Sequence, residues 1–132
     1  MKKQIKLGVI GLGSRGHGLL STLLQLENVK ICAVADVYED RQERSAKAVE
    51  KATGETPFRT ADYKEVLALE EIDAVVVTTS WTDHINIAVD AMKAGKYTAI
   101  EVGGAYSIDE CWRLVRTYEE TGVPCMMLEN CC

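Results

Sequence analysis

The sequence predicts an α/β fold of the doubly wound kind, a mostly parallel six-stranded sheet with helices on both faces. Three observations predict it. Short runs rich in Val, Ile and Ala alternate with longer amphipathic segments along the whole chain. The short runs are continuously apolar, as parallel strands covered on both faces require, and do not alternate with polar residues. Helix stop signals recur at Gly54, Gly95 and Gly122, each where the chain must return to the sheet.

The elements follow in order. Lys6–Ile10 reads as the first strand, and a helix near Arg15–Leu26 follows a glycine-rich turn. Lys30–Ala35 is the second strand, with a helix over Asp40–Thr53 that Gly54 stops. A weak strand near Phe58 and a short helix over Asp62–Ala68 come next. Ala74–Thr78 is a buried strand leading to a helix over Thr82–Ala94, which ends after Lys93 at Gly95. Thr98–Val102, a helix over Ile108–Thr121 and a last strand over Cys125–Leu128 complete the pattern. The last helix has the clearest bounds. Ser107-Ile108-Asp109-Glu110 is a capping box, in which the Ser107 hydroxyl accepts from a free amide and Glu110 reaches back. Cys111, Leu114, Val115 and Tyr118 then fall on one stripe that the spacing predicts to be buried. Gly122 and Pro124 end the helix.

A chain of 132 residues suits one domain, and that size buries roughly 70% of its unfolded surface. The net charge of −5 argues against a general nucleic-acid binder. No apolar run approaches the roughly 20 residues of a membrane span. The opening MKKQIKLGVIGLG is too short and too glycine-broken for a secretory leader, and no small-residue cleavage site follows it. These features predict a cytoplasmic location with neither membrane nor nucleic acid as partner. The five cysteines agree. Cys32 and Cys111 read as small buried hydrophobes. Cys125, Cys131 and Cys132 have neither C-x-x-C spacing nor a positioned histidine, so no metal site is expected. Adjacent Cys131 and Cys132 are able to oxidise, but nothing in the sequence requires it.

Glycine is concentrated where the first strand hands over to its helix, at Gly11, Gly13, Gly16 and Gly18. The first three form G-x-G-x-x-G, and a second strand ending in Asp36 places an acid 20 residues after Gly16. Strand, helix and acid in this register are the fingerprint of a Rossmann-type dinucleotide-binding domain, here expected to fill residues 1–132. Gly11 permits the tight turn, Gly13 lets backbone approach a pyrophosphate, and Gly16 lets the helix lie on the strand. Amides at the helix start, around Ser14 and Arg15, then face the phosphates with the helix dipole behind them. Asp36 is expected to accept from the adenosine ribose hydroxyls and to repel a 2′-phosphate, with Glu39 and Asp40 adding to that repulsion. NAD is therefore favoured over NADP, unless Arg41 swings over the ribose. His17 reads as a surface histidine.

Ligands in open α/β sheets sit outside the carboxyl ends of the strands, where strand order reverses. The segment VVVTTSWTDH borders that crevice. Thr79 and Ser80 offer hydroxyls to ribose or phosphate. Trp81 offers a flat wall or, equally well, packs at the helix entry. His84 fits helix packing or capping at least as well as catalysis. In AIEVGGAYS, Glu101 leaves the sheet facing the same crevice, and Gly103-Gly104 allows close backbone approach. Glu129 and Asn130 end the last strand there, Asn130 placed for a nicotinamide amide or its ribose.

With these residues in place, the chain resembles the N-terminal half of the glucose–fructose oxidoreductase/inositol dehydrogenase (Gfo/Idh/MocA) family over essentially its whole length. The resemblance rests on GVIGLGSRG, AVADVYEDR, TTSWTDH and AIEV. It implies NAD or NADP as cofactor, hydride transfer on a sugar or polyol, and a C-terminal substrate domain, absent here, that often mediates homo-oligomer formation. Where the family usually has Glu-Lys-Pro, with the lysine in proton transfer, this chain has Glu101-Val102-Gly103. Val102 holds no proton, so no catalytic base is assigned. The segments EV, ECW and CMMLEN are also similar to a branch containing NAD-dependent glycosidases, which oxidise a sugar hydroxyl transiently and eliminate the glycoside. A third reading is a non-catalytic NAD-binding sensor.

Overall fold

The computed structural model describes residues 4–131, so Met1–Lys3 and Cys132 lie outside the described residues. The elements are β1 (Ile5–Ile10), α1 (Ser14–Leu23), β2 (Val29–Ala35), α2 (Glu39–Thr53), β3 (Phe58–Thr60), α3 (Tyr63–Ala68), β4 (Ala74–Val77), α4 (His84–Lys93), β5 (Tyr97–Glu101), α5 (Ile108–Thr121) and β6 (Cys125–Leu128). The sheet order is β3-β2-β1-β4-β5-β6, and all five pairings are parallel. Strand order reverses between β1 and β4, so the crevice opens between Gly11 and Thr78.

Neighbouring residues of one strand serve opposite cores, which explains the continuously apolar runs. Val75 and Val77 face a layer formed by Val66 and Leu67 of α3 and Ile85, Ala88 and Val89 of α4. Val76 faces the other way, with Val9 and Val34, against Leu20 of α1 and Ala46 and Val49 of α2. Each fully buried side chain of this kind contributes about 1.5–3 kcal/mol. β1 and β2 slip by one residue after Leu7, where Gly8 pairs with Ala33 and Cys32 has no partner. Among the described residues no helix is long and apolar enough to cross a membrane.

The last helix departs from its expected packing. Ser107 does accept from the Glu110 amide at 3.2 Å, but the Glu110 carboxylate reaches the Tyr106 amide, one residue further back than a capping box predicts. Gly122 ends the helix at φ +69. The stripe of Cys111, Leu114, Val115 and Tyr118 is not buried as a unit. Leu114 packs on the core, whereas Cys111 is exposed, Val115 is 45% exposed and Tyr118 52%. Thr117, one turn beyond Arg113, is the buried residue of α5. α5 turns this face to α4, where Arg113 donates to Asn86 Oδ1 at 2.7 Å. Since β6 is the sheet edge, nothing among the described residues covers the other flank.

Candidate functional site

Three segments converge on the carbonyl of Gly11. Its amide donates to Ala35 O at 2.8 Å, and its φ of +92 turns the chain out of β1. Thr78 Oγ1 donates to the Gly11 carbonyl at 2.6 Å. A Cβ on Gly16 would lie 2.0 Å from that same oxygen, so α1 is able to dock there only because residue 16 is glycine. A Cβ on Gly11 would meet the Thr78–Thr79 peptide at 2.6 Å.

Gly13 differs from both. Its φ of −63 and ψ of −166 suit any L-residue, and the nearest atom to a built Cβ is Arg41 Nη1 at 3.7 Å. Neither conformation nor packing within the protein calls for glycine here. What its missing side chain leaves free is the approach to the N-terminus of α1, where no side chain caps the helix. The amides of that first turn lack helical acceptors. The space suits a phosphate group, which such an end attracts.

Asp36, 9% exposed, is fixed by backbone. Its Oδ2 accepts from the Leu12 amide at 2.7 Å and its Oδ1 from the Tyr38 amide at 3.0 Å. Each carboxylate oxygen keeps further lone-pair capacity. The acid thus ties the glycine turn to the end of β2 while still presenting acceptors to the crevice. Arg41 Nη1 lies 3.8 Å from Asp36 Oδ2, and its guanidinium sits 4.5 Å above the Tyr38 ring. The turn is further tied by Arg44, which donates to Leu12 O at 2.8 Å. His17 is half-buried between α1 and α2, with Nδ1 3.3 Å from Ser45 Oγ, and burial and nearby Arg44 lower its pKa.

Gly11, Gly13, Ser14, Arg15, Asp36, Thr79 and Ser80 all line one cavity of about 780 Å³. Gly16 does not, because it faces the strand behind the turn. A second cavity of about 410 Å³ shares Arg15 and Thr79 and adds Trp81, Glu101 and Asn130. There Arg15 Nε donates to Glu101 Oε2 at 2.6 Å, and the Val102 amide donates to Glu101 Oε1 at 3.0 Å. Burial alone would raise the Glu101 pKa, but the amide and the guanidinium outweigh it and hold the carboxyl below its usual range. Trp81 is largely exposed and lies against Gly103, whose Cβ would strike the indole at 2.5 Å. His84 is fully buried, and its Nε2 lies 3.0 Å from Thr79 O, which fits the packing role. Its Nδ1 has no partner among the described residues. Glu129 Oε1 accepts from the Cys131 amide.

Sequence reasoning set Thr78 and Asp83 in the segment bordering the crevice without singling out either, and it missed Tyr63 and Asn86 as cavity residues. Thr78 sits at a strand end and was assigned to the strand. Tyr63 and Asn86 are brought to the crevice by α3 and α4, and a single sequence carries no sign of that. Tyr63 donates from its hydroxyl to Asp90 Oδ2 at 2.6 Å, which joins the two helices, and burial with that carboxylate pushes its pKa up to about 12.

The comparisons agree with this geometry. The family described as "Oxidoreductase family, NAD-binding Rossmann fold" (GFO_IDH_MocA) matches residues 5–129. The chain is 39% identical over 134 residues to a glycosyl hydrolase family 109 protein of Solibacter usitatus, covering 97% of this chain and 31% of that protein. It is 40% identical over 131 residues to an alpha-N-acetylgalactosaminidase of Bacteroides fragilis, with the same two coverages, 97% and 31%. It therefore spans about a third of the length of the curated relatives it matches. Scyllo-inositol dehydrogenase from Lactobacillus casei, solved with bound cofactor NAD(H) and scyllo-inositol, superposes with a TM-score of 0.86 at 19% identity. That match covers 95% of this chain and 36% of the other. An NAD-binding protein from Listeria innocua matches with a TM-score of 0.82 at 22% identity, over 95% of this chain and 35% of that one. At such identities the two solved structures speak for the fold.

Proposed function

This chain belongs to that oxidoreductase family, with its NAD-binding Rossmann fold, and on that premise we propose that it is the cofactor half of an enzyme transferring hydride to or from a sugar or polyol. Gly13 carries this reading, since neither its backbone nor its packing explains a glycine there and a diphosphate does. In the proposed roles, amides of Gly13, Ser14 and Arg15 hold the diphosphate and Asp36 accepts from the adenosine ribose. Thr79 lines both cavities and Ser80 the larger. Trp81, Glu101 and Asn130 surround the nicotinamide end, with Arg15 fixing the direction of the Glu101 carboxylate. When bound, NAD supplies a ring carbon that takes up or returns a hydride. Val102 offers no proton acceptor, so the base belongs to a substrate domain outside these residues. A cytoplasmic location and a homo-oligomeric full-length protein belong to the same reading.

Titration of the chain with NAD tests the cofactor half. Saturable binding that shifts the amide signals of Gly13–Gly16 is the expected result, and signals left unmoved would refute it. A second reading is favoured by Val102 and by the two glycosidase-related proteins at 39% and 40% identity. In it the full-length protein is an NAD-dependent glycosidase whose hydride returns to the same sugar. Full-length protein that cleaves a glycoside without accumulating NADH selects this reading, and NADH accumulating with a polyol selects the first. Binding without either turnover would leave a sensor.

A further inference from the structure

Resting on the cofactor assignment above, we infer that Asp83 and Asn86 at the start of α4 read the base of the dinucleotide and select adenine. With the diphosphate at the glycine turn and the ribose at Asp36, the base occupies the remainder of the larger cavity. Ala61, Tyr63, Asp83, Asn86 and the buried Ile87 line it there. The apolar walls accept any purine. The polar pair does not.

The pair has a fixed polarity. Arg113 Nη1 donates to Asn86 Oδ1 at 2.7 Å. A guanidinium only donates, so it pins the amide oxygen toward α5 and leaves Nδ2, a donor, for the cavity. Ser80 Oγ donates to Asp83 Oδ2 at 2.7 Å, which steadies the carboxylate while its other oxygen stays an acceptor. The helix bearing both is braced from the other side by the Tyr63–Asp90 hydrogen bond. This pair therefore presents one acceptor and one donor. The Watson–Crick edge of adenine offers the complement, the exocyclic N6 amino donor beside the N1 acceptor. Hypoxanthine reverses both, with a carbonyl acceptor beside an N–H donor. Against hypoxanthine, Asp83 meets an oxygen and Asn86 meets a hydrogen. A site built to hydrogen-bond one pattern rejects the analogue that leaves its polar groups unmatched.

The test is calorimetric titration of the chain with NAD and with its hypoxanthine analogue, deamino-NAD. The wild type is expected to bind NAD roughly tenfold more tightly, as fits matched hydrogen bonds to a charged partner at an open site. Asn86→Asp, nearly isosteric, replaces the donor by an acceptor and should bring the ratio to one or below. Asp83→Asn should lower the ratio severalfold. Arg113→Ala, a positioning change that touches no ligand, should lower it less, because the amide is then free to flip. Melting curves identify any variant that has failed to fold, and Arg113→Ala lies outside the cavity as an independent check. Equal wild-type affinities, or a ratio unmoved in both Asn86→Asp and Arg113→Ala, would overturn the inference and leave the cofactor assignment standing. Failure of either dinucleotide to bind the wild type would overturn both.

Discussion

The corner after β1 and the corner after β5 face the same crevice, yet they are held by different means. At the first, backbone does the holding. The Asp36 carboxylate takes two main-chain amides, Thr78 takes a main-chain carbonyl, and Gly16 lets a helix rest on that carbonyl. At the second, one side-chain pair, Arg15 with Glu101, spans the gap, while Trp81 stays largely exposed and His84 keeps an unpartnered nitrogen. Backbone contacts lose little entropy when a ligand arrives, so the first corner is already shaped for a diphosphate and ribose. The second corner has exposed and unmatched groups, as expected where a ring and a substrate complete the site. The contrast extends outward to the helices. Ile85 of α4 is 2% exposed, whereas Trp112 of α5 is 55% exposed.

The comparison breaks most sharply at Gly16. Gly16→Ala drives a methyl into the Gly11 carbonyl, and a loss of about 4 kcal/mol or outright unfolding is expected in urea titration. Ile85→Ala should cost about 3 kcal/mol by the same measurement. Asp36→Ala comes next, since it frees two backbone amides and removes the ribose acceptor. NAD affinity should fall roughly tenfold or more, and the preference for NAD over NADP should shrink in competition titrations. An unchanged preference would show that Asp36 serves only the turn.

Acid sharpens the second corner with a smaller effect. The folded-state pKa of Glu101 lies below its ordinary 4.5, so the carboxylate contributes stability above that value and loses it as pH falls through the lowered one. Thermal melts should therefore show the wild type losing more stability below about pH 4.5 than Glu101→Gln does. Identical pH profiles would mean the Arg15 pair contributes nothing. The least effect is expected at Trp112→Ser, within about 0.5 kcal/mol, because nothing among the described residues packs over that face.

Where local spacing determines structure, the sequence was legible. Glycines, strand runs and helix stops located nearly every element to within a residue or two, since turn conformation and capping are local properties. The glycine turn and Asp36 were readable for the same reason, their spacing being fixed by one β-α-β unit. Two things were not readable. The α5 stripe followed helical periodicity, which marks an apolar face without saying which neighbour covers it. Asp83 and Asn86 reach the crevice through the crossing of α4 over the sheet and its ties to Tyr63 and Arg113. Those ties join residues 27 apart in sequence, and no local pattern announces them.

The central claim is that the chain leaves room at Gly13 for a diphosphate. Gly13→Val tests it directly, because the backbone there suits valine and the nearest atom outside its own chain neighbours to the first added carbon is Arg41 Nη1 at 3.7 Å. The variant should fold with a melting temperature close to wild type and lose NAD binding in calorimetry. A variant that melts like the wild type and still binds NAD with wild-type affinity would contradict it.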